Sequence, residues 1–360
     1  MWKSNWDSTR QHFVDWWNHD GLVVGMWGGP ALDGGAHEDT PPPPTAATTV
    51  RDRYCNARLR ARGNHHALAH QSFAADVLPL SDTDIGPGSL ALFLGSEPGF
   101  SEETVWFNPS IQNCDKPEEL PPFRFDELNV WWQLTRATLE ACAELGRDKY
   151  LVGCPDLVEN VDILAALREP QRLLMDMIER PDWVTEKVAE INQVWFDAYR
   201  RIYDIIKLDD GSSAFGAFRI WGIGKTAKVQ CDASAMFSPD MFKRFIVPSL
   251  TEQCEWLDNS MYHLDGTQAV CHLDALLEIE SLDAIEWTPQ SGIESGGNAR
   301  WYDLYKRILD CGKSVQVVDV HADEIVPLLD AIGGKGVYVI TSFATPGEAD
   351  AVMTKVEPYR

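Results

Sequence analysis

Positive charge is scarce in this chain. Lys+Arg 31 against Asp+Glu 55 leaves a formal charge of −24 at neutral pH over 360 residues. A nucleic-acid surface needs the opposite sign to meet phosphate, so that class is disfavoured. A highly anionic substrate would be repelled unless arginines clustered at its site. The 8 cysteines include no Cys-x-x-Cys pair and come with no secretory context for a disulfide framework. No stretch approaches the roughly 20 apolar residues that cross a bilayer, and Met1-Trp-Lys-Ser-Asn-Trp-Asp-Ser lacks the apolar core of a signal peptide. The expectation is a reduced, cytoplasmic protein with no membrane partner. Fixed-length repeats are absent, and the only low-complexity tract is the proline run in Asp39-Thr-Pro-Pro-Pro-Pro44, a stiff connector.

The chain does have a hydrophobic share of 44%, enough for a substantial core, and a regular alternation of apolar runs and helical patterns. Strands are expected at 22–27, 74–78, 104–107, 150–153, 214–220, 228–232, 260–265, 283–287, 314–318 and 336–341. Helical patterns lie between them, at about 50–71, 125–145, 161–178 and 182–206. Ser238-Pro239 and Thr345-Pro346-Gly347-Glu348 are helix starts, with a hydroxyl at the N-cap and proline at the first helical position. Parallel strands joined by helices in this number imply an α/β fold, a TIM-type (β/α)8 barrel, as a single domain over 1–360. A helical extension (about 1–20) precedes it. A Gly/Pro-rich insertion (about 81–122) is expected to fold over the C-terminal mouth.

Catalysis in such barrels gathers where strands end. The most informative segment is Met261-Tyr-His-Leu-Asp265-Gly266. Residues i and i+2 of a strand share a face, so His263 and Asp265 project together. An imidazole beside a carboxylate can hold a metal or exchange a proton with a substrate; the plain alternative is a hydrogen bond that only ties down a strand end. The other strand ends offer Trp27, Asp76, Asp156, Trp221, Asp232, Glu286 with Trp287, Gln316, and Thr341-Ser342. Together they describe a pocket with aromatic walls and a few fixed polar groups. Gly333-Gly-Lys-Gly336 follows a helix and precedes a strand, the reverse of a phosphate loop, and is read as a helix C-cap. His65, His66 and His70 have no carboxylate on their face and are read as structural.

Several segments resemble the uroporphyrinogen decarboxylase superfamily, which also contains cobalamin-dependent methyltransferases. They are Asp156 with Asp162-Ile-Leu-Ala-Ala-Leu-Arg168, Cys231-Asp232 before Ser238-Pro239-Asp-Met-Phe242, Tyr262-His-Leu-Asp-Gly266 with His272-Leu-Asp274, and Ile285-Glu-Trp-Thr-Pro289. The resemblance, from Gly21 to the end, implies a barrel with its site at the strand C-termini. The decarboxylase grips its porphyrinogen with an arginine-rich loop after the first strand. Here Met26-Trp-Gly-Gly-Pro-Ala-Leu-Asp33 has no arginine, which argues against an eight-carboxylate substrate. The methyltransferase branch holds zinc through His-x-Cys and a later cysteine, whereas this chain has His263-Leu-Asp265 and ends its last strand in Ile340-Thr-Ser342. Zinc accepts carboxylate, so the resemblance implies a divalent metal at His263 and Asp265, its third ligand open between Cys271 and Glu286.

The function implied is methyl transfer between a small methyl donor and a corrinoid (cobalamin). No Asp-x-His-x-x-Gly motif is present, so the corrinoid would ride on a separate partner protein. In this reading His263, Asp265 and Asp156 are catalytic, while Asp76, Trp27, Trp221, Asp232, Glu286, Trp287 and Gln316 bind substrate. Two alternatives stay open: a lyase or decarboxylase of a small carboxylated or heteroaromatic compound, and a non-catalytic tetrapyrrole-binding protein. A homodimer is expected by analogy with the family.

Overall fold

The computed structural model describes residues 1–32, 35–37, 40 and 42–360; Asp33 and part of the 39–44 connector lie outside the described residues. Twelve strands are formed by the described residues. They are β1 (Leu22–Met26), β2 (Leu80–Ser81), β3 (Glu97–Phe100), β4 (Val105–Asn108), β5 (Leu151–Cys154), β6 (Ser212–Phe215), β7 (Ile220–Ile223), β8 (Thr226–Gln230), β9 (Asn259–Asp265), β10 (Ala284–Thr288), β11 (Ser314–Val317) and β12 (Val337–Thr341). One hydrogen-bonded ladder runs β1-β12-β11-β10-β9-β8 and a second runs β2-β5-β6-β7, while β3 and β4 form a separate hairpin. Every pairing within the two larger sheets is parallel except β6 with β7. The protein is therefore α/β with a parallel central sheet. β6 also packs beside β8.

Helix boundaries follow local chemistry. Ser238 caps the helix Pro239–Phe245 by accepting from the Met241 N–H. Thr345 caps Pro346–Val356 by accepting from Glu348 N, and the Glu348 carboxylate reaches back to Ala344 N at 2.8 Å. The helical region expected at 161–178 breaks at Glu169, whose φ of +82° precedes Pro170 and starts a new helix. Gly333, with φ +83°, is the C-cap of Ile325–Ile332, a conformation glycine adopts without a Cβ penalty. No helix among the described residues is long and apolar enough to cross a membrane.

The strand expected at 74–78 is not formed. Ala75 has φ +48°, and β2 begins only at Leu80. Asp76 thus precedes its strand and is not at a strand's C-terminal end. Its buried carboxylate serves the fold: it accepts from Val24 N at 2.9 Å, from Arg360 at 2.7 Å and from Thr9 at 3.3 Å, and meets His12 Nδ1 at 2.7 Å. The Asp76 N–H in turn donates to Val24 O at 2.8 Å. One carboxylate therefore joins β1, the N-terminal helix Trp6–Trp17 and Arg360.

Burial alone would raise the Asp76 pKa, but the His12 hydrogen bond and the charge of Arg360 outweigh it and hold the group below the usual carboxylate range. Its stabilising contribution is then present above the ordinary carboxylate pKa of about 4 and is lost as pH falls through the lower, folded value. Asp76→Asn is expected to cost about 3 kcal/mol at pH 7, because it leaves the partners' charge buried without its counter-ion. Urea denaturation of both proteins from pH 7 down to pH 3 should show that difference narrowing in acid; a pH-independent difference would refute the ionic account.

Candidate active site

The register of the parallel ladder decides which side chains meet. Gln230, His263, Glu286, Gln316 and Tyr338 are paired in sequence across β8 to β12. Neighbours in a parallel register share a face, so these five form one polar belt. Three of its members converge on the segment after β6, and a fourth, Glu286, bonds one of them. His263 packs on the Phe218 ring at 4.5 Å between centroids, Gln316 donates to Phe218 O at 2.8 Å, and the Tyr338 hydroxyl donates to Arg219 O at 2.8 Å. Glu286 bonds His263. Leu264, Trp287, Val317 and Val339 lie on the opposite face, under the helices.

His263 is the centre of the belt. Its Nδ1 is bound to the buried Glu286 carboxylate on the adjacent strand, which leaves Nε2 facing the strand ends. Burial disfavours the imidazolium, but the Glu286 charge and hydrogen bond overcome it, and the His263 pKa is raised. Burial likewise raises Glu286, against the pull of His263. Beyond Nε2, one ligand atom each from Asp232, His263 and Asp265 lies within 4.8 Å of the other two. Asp232 is pushed up to about 6 by withdrawal from water and by the negative charge of Asp162, against His263 and Lys228.

The donor set fits a divalent cation: two carboxylates and an imidazole suit zinc or another first-row ion. A ligating histidine characteristically gives its other ring nitrogen to a carboxylate, and Glu286 occupies that place. Of the two expected alternatives for the third ligand, Glu286 is bound to His263 Nδ1 and stands behind the imidazole. Cys271 is exposed, with its thiol turned to Gln268 O at 3.2 Å and to His272. The third residue clustered with His263 and Asp265 is Asp232.

Asp156 follows β5 and pairs with the buried Lys228 ammonium at 2.8 Å. Gln316 belongs to the belt; its amide nitrogen donates to Phe218 O, and its buried Oε1 has no partner among the described residues. Trp27 follows β1, is 46% exposed and meets edge-on, at 5.6 Å, the Phe218 ring on which His263 packs. Two other tryptophans are corrected. Trp287 adjoins Glu286, so strand alternation turns it outward, where it packs on Trp301 at 4.9 Å. Trp221 is fully buried under the N-terminal helix, against Trp6 and Phe13.

Lys228, Gln230, Glu159 and Phe218 were not anticipated. Lys228 and Gln230 carry the same i, i+2 signal as His263 and Asp265, on the neighbouring strand. Phe218 has no such signal: it sits in a non-strand segment at φ +58°.

The two strand-end tryptophans give opposite expectations. Trp287→Ala should cost about 3–5 kcal/mol by emptying a core site, whereas Trp27→Ala should cost about 1 kcal/mol or less. Thermal and urea unfolding of the two variants compares them directly; a mild Trp287→Ala would return that ring to the pocket.

Among solved structures, the chain is similar to a methyltransferase from Methanosarcina mazei, with a TM-score of 0.62 over 98% of each chain and 10% sequence identity. No family model matches the sequence, and no curated protein matches it. Likeness at that identity is a likeness of fold.

Proposed function

We propose that this protein is a methyltransferase that moves a methyl group from a small ether or amine donor to a corrinoid carried by a partner protein. The observation that carries the reading is the Asp232–His263–Asp265 group, backed by Glu286, at the strand ends of a fold shared with a methyltransferase. We take the two ladders to close into one (β/α)8-type barrel over 1–360. The packing of β6 on β8 and the Asp76–Val24 bonds between β1 and the segment before β2 support that closure. The helix Trp6–Trp17 is its N-terminal extension. The 81–122 region lies toward its mouth, where Gly88 N donates to Asp156 O at 3.1 Å and the Asp84 carboxylate accepts from Asp156 N.

A divalent cation held by Asp232, His263 and Asp265 would supply Lewis-acid polarisation of the donor's oxygen or nitrogen. The corrinoid supplies the methyl-accepting cobalt. The chain's own residues do the rest. Glu286 fixes the imidazole so that Nε2 faces the Asp232 carboxylate, where a cation would be held. Asp232 and Asp265 donate hard oxygen ligands. These leave a cation more electron-poor than thiolates would, which suits activation of a leaving oxygen or nitrogen over activation of a thiol. Phe218 walls the site beside His263. Exposed Trp27 and Met236 offer apolar rim surface to a flat ring system.

The test uses purified protein with added Zn²⁺, cob(I)alamin, and a panel of aryl methyl ethers and methylamines, following methylcobalamin by absorbance. Wild type should transfer methyl from at least one donor. His263→Ala should lose the metal and slow transfer by roughly 10²-fold or more. Conversion of uroporphyrinogen to coproporphyrinogen, or absence of transfer across the panel, would overturn the proposal.

A further inference from the structure

Behind the candidate ligands lies a buried polar chain that the proposed chemistry does not use. Lys228, fully buried on β8, holds Asp156 at 2.8 Å and donates to the Gln230 side-chain carbonyl. The Gln230 amide nitrogen donates to Asp162 at 3.3 Å. Asp162 accepts from Asp232 N at 2.7 Å with one oxygen and from Ala233 N at 2.9 Å with the other. Asp232 is the first residue of the short 3-10 turn Asp232–Met236, whose own cap position, Cys231, gives its side chain to no backbone N–H of the turn and donates its thiol to Asp162 at 3.7 Å.

We infer that Asp162 is a positioning residue: it caps this turn from a distant helix and thereby aims the Asp232 carboxylate at His263. The inference rests on the reading of Asp232 as a metal ligand. The first backbone N–H groups of a helical turn lack partners within the turn. A carboxylate that takes two of them fixes the backbone of the residue that starts it. The Asp232 side chain leaves from that residue, so its reach toward His263 is set by Asp162 and not by β9.

Lys228 explains why Asp162 stays in place. An ammonium can only donate, so the Gln230 carbonyl must face it. The amide nitrogen then has one orientation, toward Asp162. Gln230 and His263 are paired in register on adjacent strands, so the chain of bonds is built at the same level as the imidazole it serves. A buried ion pair is weak evidence for stability, and a role in selecting one arrangement is its better-attested use.

The experiment measures Co²⁺ affinity and the Co²⁺ visible spectrum of the intact protein and three variants. Asp162→Asn keeps the shape but turns an NH₂ group toward a backbone donor. Affinity should fall about 10- to 100-fold, as for other residues that hold metal ligands from behind, with a changed Co²⁺ spectrum. Gln230→Met keeps the volume and the Asp162 charge but removes the amide; it should weaken Co²⁺ by about 10-fold with a similar spectral change. Asp176→Asn breaks the buried Arg168–Asp176 pair, 2.7 Å long, at the opposite end from Asp162 of the helix Asn160–Arg168. It should lower the melting temperature and leave Co²⁺ affinity and spectrum as in wild type.

Weakened binding by Asp162→Asn alone, with an unchanged spectrum and wild-type behaviour of Gln230→Met, would mean a charge acting at a distance and would overturn positioning. Affinities of both site variants within about twofold of wild type would overturn it as well, leaving the metal reading intact. A wild-type protein that binds no Co²⁺ would overturn both.

Discussion

The contact between Glu286 and His263 is possible only because β9 and β10 pair in one register. Glu286 lies opposite His263, and Thr288 opposite Asp265. A slip of one residue would place Trp287 beside the imidazole and bury Glu286 under the helices. The register is secured from the other face, where Leu264, Trp287, Val317 and Val339 must stay out of water. Hydrophobic burial on one side of the sheet thus sets the alignment of ionisable groups on the other. Once Nδ1 is committed to Glu286, Nε2 is the only imidazole nitrogen left for chemistry, and its neighbours are Asp232 and Asp265.

The segment between β6 and β7 shapes the space above that pair. Phe218 and Arg219 both adopt positive φ, at +58° and +51°, and a non-glycine residue there costs on the order of 1–3 kcal/mol. Two belt residues offset the strain by holding the segment's carbonyls, Gln316 at Phe218 and Tyr338 at Arg219. Gly25 makes room for the Tyr338 ring, since a Cβ at that position would lie 2.8 Å from its hydroxyl. Belt positions on β11 and β12 are therefore used to hold backbone, and those on β8 to β10 are left for the site.

What the sequence made legible follows the same division. The parallel α/β organisation was carried by apolar runs and capping residues, which are local. His263 and Asp265 were legible because strand alternation needs only a spacing of two. Glu286 and Trp287 were both placed at the pocket, although adjacent strand residues face opposite ways; the phase of β10 depends on its neighbours and not on its own residues. Asp76 was misplaced because Ala74-Ala-Asp-Val-Leu78 has a strand-like composition, whereas its aspartate was claimed by Val24, His12 and Arg360 from distant parts of the chain. Asp162 was noticed only through family resemblance, since its caps lie 70 and 71 residues away.

The acid excess that disfavours a porphyrinogen has a counterpart inside the fold. Asp156, Glu159, Asp162, Asp232, Asp265 and Glu286 gather around Lys228 and His263. Burial raises Glu159 well above the usual carboxylate range, and Asp156 and Asp162 push it the same way against Lys228. Burial lowers Lys228, but its acidic neighbours win and keep it charged. Protons are one way to relieve crowded carboxylates, and a cation is another, with the difference that a cation is placed by geometry. Lys228 supplies one positive charge at the level below the belt, fixed and fully hydrogen-bonded. Above the belt, neither Asp232 nor Asp265 makes a salt bridge to lysine or arginine among the described residues, and the charge of Lys228 acts on Asp232 only from a distance. A divalent ion between them and His263 Nε2 would give the upper level the charge that Lys228 gives the lower.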